Sequence, residues 1–327
     1  MSEFETPAPA PPPVAPPPVA SLPPTPARSR VPIFFFGLFS GCALFFIFGF
    51  MLFAAIASSR TSSGEFNLSA SKIAVVPIEG EILDARDTVE LLRKYNDNLT
   101  VKGIVVRLNS PGGAIAPSQE IYSEIRKMRA RSGKPFIASV DSVGASGAYY
   151  IAAACDEIVA NPGSITGSIG VILQWMNVED LVHWAKMKPE TITSGAMKAA
   201  GSPYRELTPE ERAYLQRIVL QLHQQFVKAV AVGRSGKISE QQIASLADGR
   251  VFTGEEALQL HLIDRLGNLS DAVTVAARKA GIRGEPSMLY PHRREHSLLE
   301  LLTNSGDSQS MIERIVARQI PQFLYRW

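Results

Sequence analysis

The sequence predicts an α/β domain behind a single membrane-spanning helix, on three observations. Ile33 to Ala57 is a charge-free apolar run of 25 residues, longer than the roughly 20 needed to cross the hydrocarbon core of a bilayer. From Lys72 onward, short β-branched runs such as Ile73 to Ile78 and Gly103 to Leu108 alternate with segments of helical periodicity, the pattern of βαβ units. A third run, Pro135 to Val140, leads into the small-residue turn Gly144-Ala145-Ser146-Gly147-Ala148, after which Ala148 to Cys155 is apolar on every side, as a short core helix is.

Taken in order, residues 1 to 32 are dominated by proline and alanine, a composition that favours extended polyproline conformers and buries no core. They form a disordered arm, either a bare spacer or a docking site for a proline-recognising module. Residues 33 to 57 are the membrane span. Arg28 and Arg30 precede it and Arg60 follows, so the charge bias favours a cytoplasmic N-terminus and an exported C-terminal domain. Ala55-Ile56-Ala57 resembles a signal-peptide cleavage site, but the run exceeds the 7 to 15 apolar residues of a cleaved signal, which favours an uncleaved anchor. Residues 58 to 71 read as a polar linker, 72 to 284 as the folded domain and 285 to 327 as an interface or packing tail. That tail holds a basic cluster, His292, Arg293 and Arg294, and an amphipathic segment from Met311 to Ile320.

Within the domain, helices are expected at Thr88 to Tyr95 and Pro117 to Arg131, and a fourth strand at Glu157 to Ala160. A turn and strand follow between Ile165 and Leu173, then a helix near Val178 to Lys186 and a short strand at Thr191 to Thr193. Thr208-Pro209-Glu210-Glu211 has the form of a capping box with proline at the first helical position, so a long helix starts there and runs to about Val232. Shorter helices follow near Ser239 to Ala247 and Glu255 to His261, and a last one after Ser270 as N-cap.

Net charge is +2, from 33 basic and 31 acidic residues, with no basic stripe of the kind a nucleic-acid partner requires. Cys42 falls in the membrane run and Cys155 in a buried helix, so neither a disulfide framework nor a cysteine metal site is indicated.

Three features carry chemistry together. Ser146 lies at a helix N-terminus, where unpaired N–H groups and the positive dipole end favour developing negative charge; the same position suits an N-cap serine. Gly112 and Gly113, in Asn109-Ser110-Pro111-Gly112-Gly113, let the backbone approach a ligand with its N–H groups turned outward, as an oxyanion hole requires, or simply make a strand-to-helix turn. A serine hydroxyl needs a base, yet His183, His223, His261, His292 and His296 all lie on expected helices or in the tail. The Ser146 turn also departs from the hydrolase elbow, since its second glycine follows the serine immediately. Lys198 in Thr193-Ser194-Gly195-Ala196-Met197-Lys198-Ala199-Ala200-Gly201 is a lone cation among small and apolar residues. It is either a solvated loop lysine or a base whose burial disfavours the ammonium form.

The succession SPGG, ASGAYY with its following DEI, TGSIGV, SGAMK, GSPYRELTPEER and DGRVFTGEEALQLHLID is similar to bacterial signal peptide peptidase A of the short, single-domain type, over Ile73 to Gly281. The resemblance implies a ClpP/crotonase-like spiral α/β fold of repeated ββα units and a Ser/Lys dyad protease at the membrane. By position, Ser146 matches the nucleophile, Lys198 the general base, Gly113 the oxyanion donor aided by the N–H of Gly147, and Ser168 a serine near the lysine. It also implies a ring-shaped homo-oligomer, an octamer among the options, in which Lys198 serves Ser146 of an adjacent chain. Many relatives carry an acidic residue where this chain has Ala199, which removes an anion beside the lysine.

The expectation is therefore a serine endopeptidase anchored in a bacterial inner membrane, with its catalytic domain on the extracytoplasmic side. It would degrade remnant signal peptides or other apolar extended segments, with no metal, cofactor or nucleic acid. Three rivals stand beside it: a related membrane protease specific for one membrane protein, a crotonase-like acyl-CoA hydratase or isomerase, and a non-enzymatic membrane scaffold.

Overall fold

The computed structural model describes residue 51, residues 71–291 and the backbone of residues 322–326. The expected membrane span, apart from Met51, and the tail segment Met311 to Ile320 lie outside the described residues. In chain order the elements are β1 (Lys72–Glu79), α1 (Arg86–Asp97), β2 (Val101–Ser110), β3 (Gly112–Ala114), α2 (Ile115–Ser132), β4 (Phe136–Ala145), α3 (Gly147–Ala152), β5 (Glu157–Ala160), β6 (Ile165–Gly167), β7 (Ile172–Gln174) and α4 (Glu179–Trp184). A 3-10 turn at Ala196–Ala199 precedes α5 (Pro209–Gly233), α6 (Glu240–Leu246), β8 (Val251–Thr253), α7 (Gly254–Gln259), β9 (Arg265–Leu266), α8 (Leu269–Lys279), β10 (Ser287–Leu289) and β11 (Gln322–Arg326).

Strands β10, β1, β2, β4, β5 and β9 lie side by side in one parallel sheet. The central strands are apolar on both faces because both faces are covered, as parallel sheets require. Successive side chains point to opposite sides of a strand. Thus Ala74, Val76, Ile104, Val106, Ala138 and Val140 pack toward α1, α2, α3 and α5, whereas Ile73, Val75, Val105, Ile137 and Val159 pack on Ala272, Val273, Ala276 and Ala277 of α8. The succession β2–β3–α2 is a ββα unit, so the mixed α/β class with a parallel sheet is as expected.

Several expectations need correction. The third strand does not stop at Asp141 and Ser142. It runs on to Ala145 because β4 exchanges one partner for another, pairing with β5 through Val140 and with β6 from Val143 to Ala145. The helix after Ser146 ends at Ala152, not Cys155, and the turn from Ile165 to Leu173 holds two short strands instead of one. Thr191 to Thr193 is exposed and irregular, with no strand pairing it among the described residues. The N-cap of α8 is Asn268, whose side chain accepts from the N–H groups of Ser270 and Asp271. The capping box at Thr208 and Glu211 forms as its spelling predicts.

Candidate active site

The partner exchange of β4 fixes the residue before Ser146. Ala145 pairs with Gly167 of β6, and the N–H of Ser146 donates to the Gly167 carbonyl at 2.8 Å. One residue later the chain turns abruptly into α3, whose first bond runs from the Tyr150 N–H to the Ser146 carbonyl at 2.8 Å. The turn puts Ser146 at φ 53° and ψ −117°, a conformation that a non-glycine residue rarely adopts. Holding it costs on the order of 1–3 kcal/mol and requires the surroundings to enforce it. Ser146 holds the N-cap position of α3, but its hydroxyl makes no capping bond. Ser146 is wholly buried, and among the described residues its Oγ has no hydrogen-bond partner.

The two glycines of β3 are required for different reasons. Gly112 has φ 103°, open to glycine at little cost. Gly113 is needed for contact: a Cβ there would stand 2.2 Å from the carbonyl oxygen of Ile82. Ile82 bridges β3 by donating to the Gly112 carbonyl at 2.9 Å and accepting from the Ala114 N–H at 2.7 Å. Because strand groups alternate sides, this bridge leaves the N–H and C=O of Gly113 facing the other way. Gly147 approaches from that part of the molecule. A Cβ on it would lie 3.3 Å from the Gly113 nitrogen and 2.5 Å from Ser118 Oγ. The start of α3, one residue after Ser146, and the Gly113 nitrogen therefore lie close together.

Ser168 follows Gly167 and repeats the unusual backbone of Ser146, at φ 50°. It is buried, its N–H donates to the Arg250 carbonyl, and the residue before it, Gly167, pairs with Ala145 and accepts from the Ser146 N–H. Lys198 is not brought to Ser146. It sits in the exposed 3-10 turn, and among the described residues its amino group has no hydrogen-bond or ion-pair partner. The expected burial is thus absent from the chain by itself, because nothing among the described residues of the same chain packs over residues 188–198. Among the described histidines, His223 bonds the Ala247 carbonyl at 2.7 Å and none bonds Ser146. Cys155 offers no rival nucleophile, since burial pushes its thiol up to about 12. No group of three or more His, Cys, Asp or Glu among the described residues is arranged to hold a metal.

Sequence reasoning did not single out Ile82, Ser118 or Gly167. Ser118 is a buried helix residue whose Oγ donates to the Ala114 carbonyl at 2.9 Å, and only the fold shows it against Gly147. Gly167, inside TGSIG, carried the one usable signal, a glycine ahead of a serine already marked.

Residues 128–283, which include Ser146, Gly147, Ser168 and Lys198, match peptidase family S49. The chain is 39% identical over 239 residues to a candidate protease of Synechocystis sp., covering 73% of this chain and 84% of that one. It is 36% identical over 182 residues to a candidate signal peptide peptidase, SppA, of Enterococcus faecium, covering 56% of this chain and 52% of that one. A solved structure of a membrane-bound stomatin-specific protease, in a serine-to-alanine mutant form, aligns with a TM-score of 0.44 and 17% identity over 68% of this chain and 99% of that one.

Proposed function

Because the chain belongs to peptidase family S49 and is a serine-type peptidase, we propose that Ser146 is its nucleophile and that Lys198 of a second copy is the general base. The observation that carries this reading is the buried Oγ of Ser146, unpartnered among the described residues, on the residue before Gly147, whose backbone approaches Gly113. A group left unsatisfied in a buried place costs on the order of 1–3 kcal/mol, a cost that makes sense where a base and a substrate carbonyl are to arrive.

In this mechanism Lys198 takes the Ser146 proton and Oγ attacks the peptide carbonyl. The N–H groups of Gly113 and Gly147 hold the oxyanion, and preorganised donors of this kind each contribute about 10²–10³ in rate. Lys198 then protonates the leaving amine and draws a proton from the water that hydrolyses the acyl-enzyme, while Ser168 helps orient it. The segment that carries Lys198 supports a contribution from a second copy. Trp184 is 82% exposed and Ile192 100%, and Met176, Leu181 and Met187 of the same stretch of chain are also exposed, apolar area that burial against another chain would remove from water. Such burial would also supply the desolvation that a lysine base needs. The ring assembly, the anchor at residues 33 to 57 and an extracytoplasmic catalytic domain belong to the same reading. So do its substrates, remnant signal peptides or other apolar extended segments.

The test is to assay the unsubstituted chain, Ser146→Ala and Lys198→Ala on a signal-peptide substrate between pH 6 and 10. Both variants should lose at least about 10³-fold in kcat. Mixing the two should restore part of the activity by pairing an intact serine with an intact lysine. Undiminished cleavage by Ser146→Ala would end the reading, and no recovery in confirmed mixed assemblies would place the dyad within one chain.

A further inference from the structure

Lys198 lies on the 3-10 turn Ala196–Ala199, a form whose hydrogen-bond geometry is poorer than that of an α-helix and which persists only in short pieces. The backbone bonds of the turn are local. The Lys198 N–H donates to the Gly195 carbonyl at 3.0 Å, the Ala200 N–H to Met197 at 3.2 Å and the Ser202 N–H to Ala199 at 3.0 Å. Residues 191–198 are exposed, so burial does little to fix this segment. One side chain reaches the turn from outside it: Arg205 donates from Nη2 to the carbonyl of Ala199, the residue after Lys198, at 3.3 Å.

Arg205 is itself held. Its Nη1 donates to Glu211 Oε2 at 2.8 Å and to the Glu206 carbonyl at 3.0 Å, and its Nη2 donates to Glu211 Oε1 at 2.5 Å. Together with the bond to Ala199, these engage all four N–H groups on the two terminal nitrogens. A guanidinium gripped by both oxygens of a carboxylate is fixed in its plane as well as its place, which the point charge of an ammonium would not be. The Glu211 side chain is 4% exposed and stands in the first turn of α5, whose later residues Phe226, Ala229 and Val230 are buried in the core. A continuous connection therefore runs from the core through α5, Glu211 and Arg205 to the backbone beside Lys198. The capping box does not require it. That box uses Glu211 Oε2, whereas Oε1 accepts from Arg205. An ion pair at this place also steadies the start of α5, but that alone leaves the bond to Ala199 without a purpose.

We propose that Arg205, locked by Glu211, is a positioning residue for the reaction: it fixes the exposed turn so that the Lys198 amine reaches the serine proton in one pose. This rests on the reading of Lys198 as the general base given above. A lysine carries its amine on a flexible four-carbon stem, so the pose of its backbone decides where the amine can reach. A misplacement of about 1 Å in a reacting group costs on the order of 10²-fold in rate. In this role Arg205 acts through Lys198 alone.

The test is steady-state kinetics of the purified full chain on a signal-peptide substrate, beside Arg205→Met and Glu211→Gln. Each variant should lose roughly 10²-fold in kcat at a KM within about twofold, the split expected when only the reacting pose is lost. Glutamine still closes a capping box with its one oxygen but leaves no second acceptor for the guanidinium, so Glu211→Gln decides the matter if Arg205→Met fails to fold. Lys198→Ala provides the second arm, its residual rate read on a peptide ester. Because Arg205 acts through the lysine, adding Arg205→Met to Lys198→Ala should lower that rate by less than about twofold. An unchanged kcat in a folded Arg205→Met or in Glu211→Gln, or a further loss of about 10²-fold on top of Lys198→Ala, overturns the proposal. If Lys198→Ala is inactive while Arg205→Met keeps full activity, only the positioning role falls, whereas activity surviving Lys198→Ala brings down the general-base assignment itself.

Discussion

At the scale of the residue, Ser146 combines a φ of 53°, complete burial and a hydroxyl without a partner among the described residues. Its backbone is imposed from both sides, by the bond to Gly167 before the turn and by the first bond of α3 after it. This predicts a separation of stability from activity. Ser146→Ala keeps the strain, whereas Ser146→Gly releases about 1–3 kcal/mol of it against the 0.5–1 kcal/mol that glycine costs through the unfolded chain. Both variants should be inactive, but Ser146→Gly should melt above Ser146→Ala by roughly 2–4 °C per kcal/mol retained, read by calorimetry. The candidate nucleophile is legible in the sequence, because small residues around one serine after an apolar run are unusual. Its strain is not, because φ depends on what the turn connects.

At the scale of the element, α5 shows local spelling carried intact into structure. The Thr208 side chain accepts from the Glu211 N–H, and Glu211 Oε2 accepts from the Thr208 N–H at 3.0 Å. Thr208→Ala should cost about 1 kcal/mol, measured by denaturant unfolding. The same carboxylate takes Arg205 Nη1 at 2.8 Å, and the hydrogen bonds from Arg205 and then from the Thr208 N–H pull Glu211 down to about 2. A carboxylate held below its unfolded value stabilises the fold at pH above that value, and the contribution is lost as pH falls from about 4.3 toward 2. Unfolding measured across that window should therefore show a shallower acid limb for Glu211→Gln than for the unsubstituted chain. β4 is the contrary case. Asp141 and Ser142 are turn-forming residues in sequence, yet the strand continues through them because β6 supplies a new partner, and pairing across some 20 residues of chain leaves no local mark.

At the scale of the whole molecule, distant elements are tied by Arg234, which is 2% exposed. From the end of α5 it donates to Asp264 Oδ2 at 2.7 Å and to the His261 carbonyl at 2.8 and 3.0 Å, while Asp264 also accepts from the Ile158 N–H of β5. Burial pushes the Asp264 carboxyl up, but Arg234 and Lys237 outweigh it and hold it below its usual range. Removing one partner of a buried pair leaves the other uncompensated, so Arg234→Met should destabilise the fold by about 3 kcal/mol, with Lys237 keeping the loss at the low end of the range. Chemical denaturation of the two proteins checks this. What the sequence by itself determined is what depends on near neighbours: the alternation of strands and helices, the caps, and the order of small-residue motifs that marks Ser146 and Lys198. Tertiary structure alone decided which of these meet. It set Gly113 against Ile82 and Gly147 against Ser118, left Lys198 exposed, and seated residues 322–326 between β3 and β7. The physical reason is that backbone pairing and close approach are settled between segments far apart in the chain, where local composition holds no record of the partner.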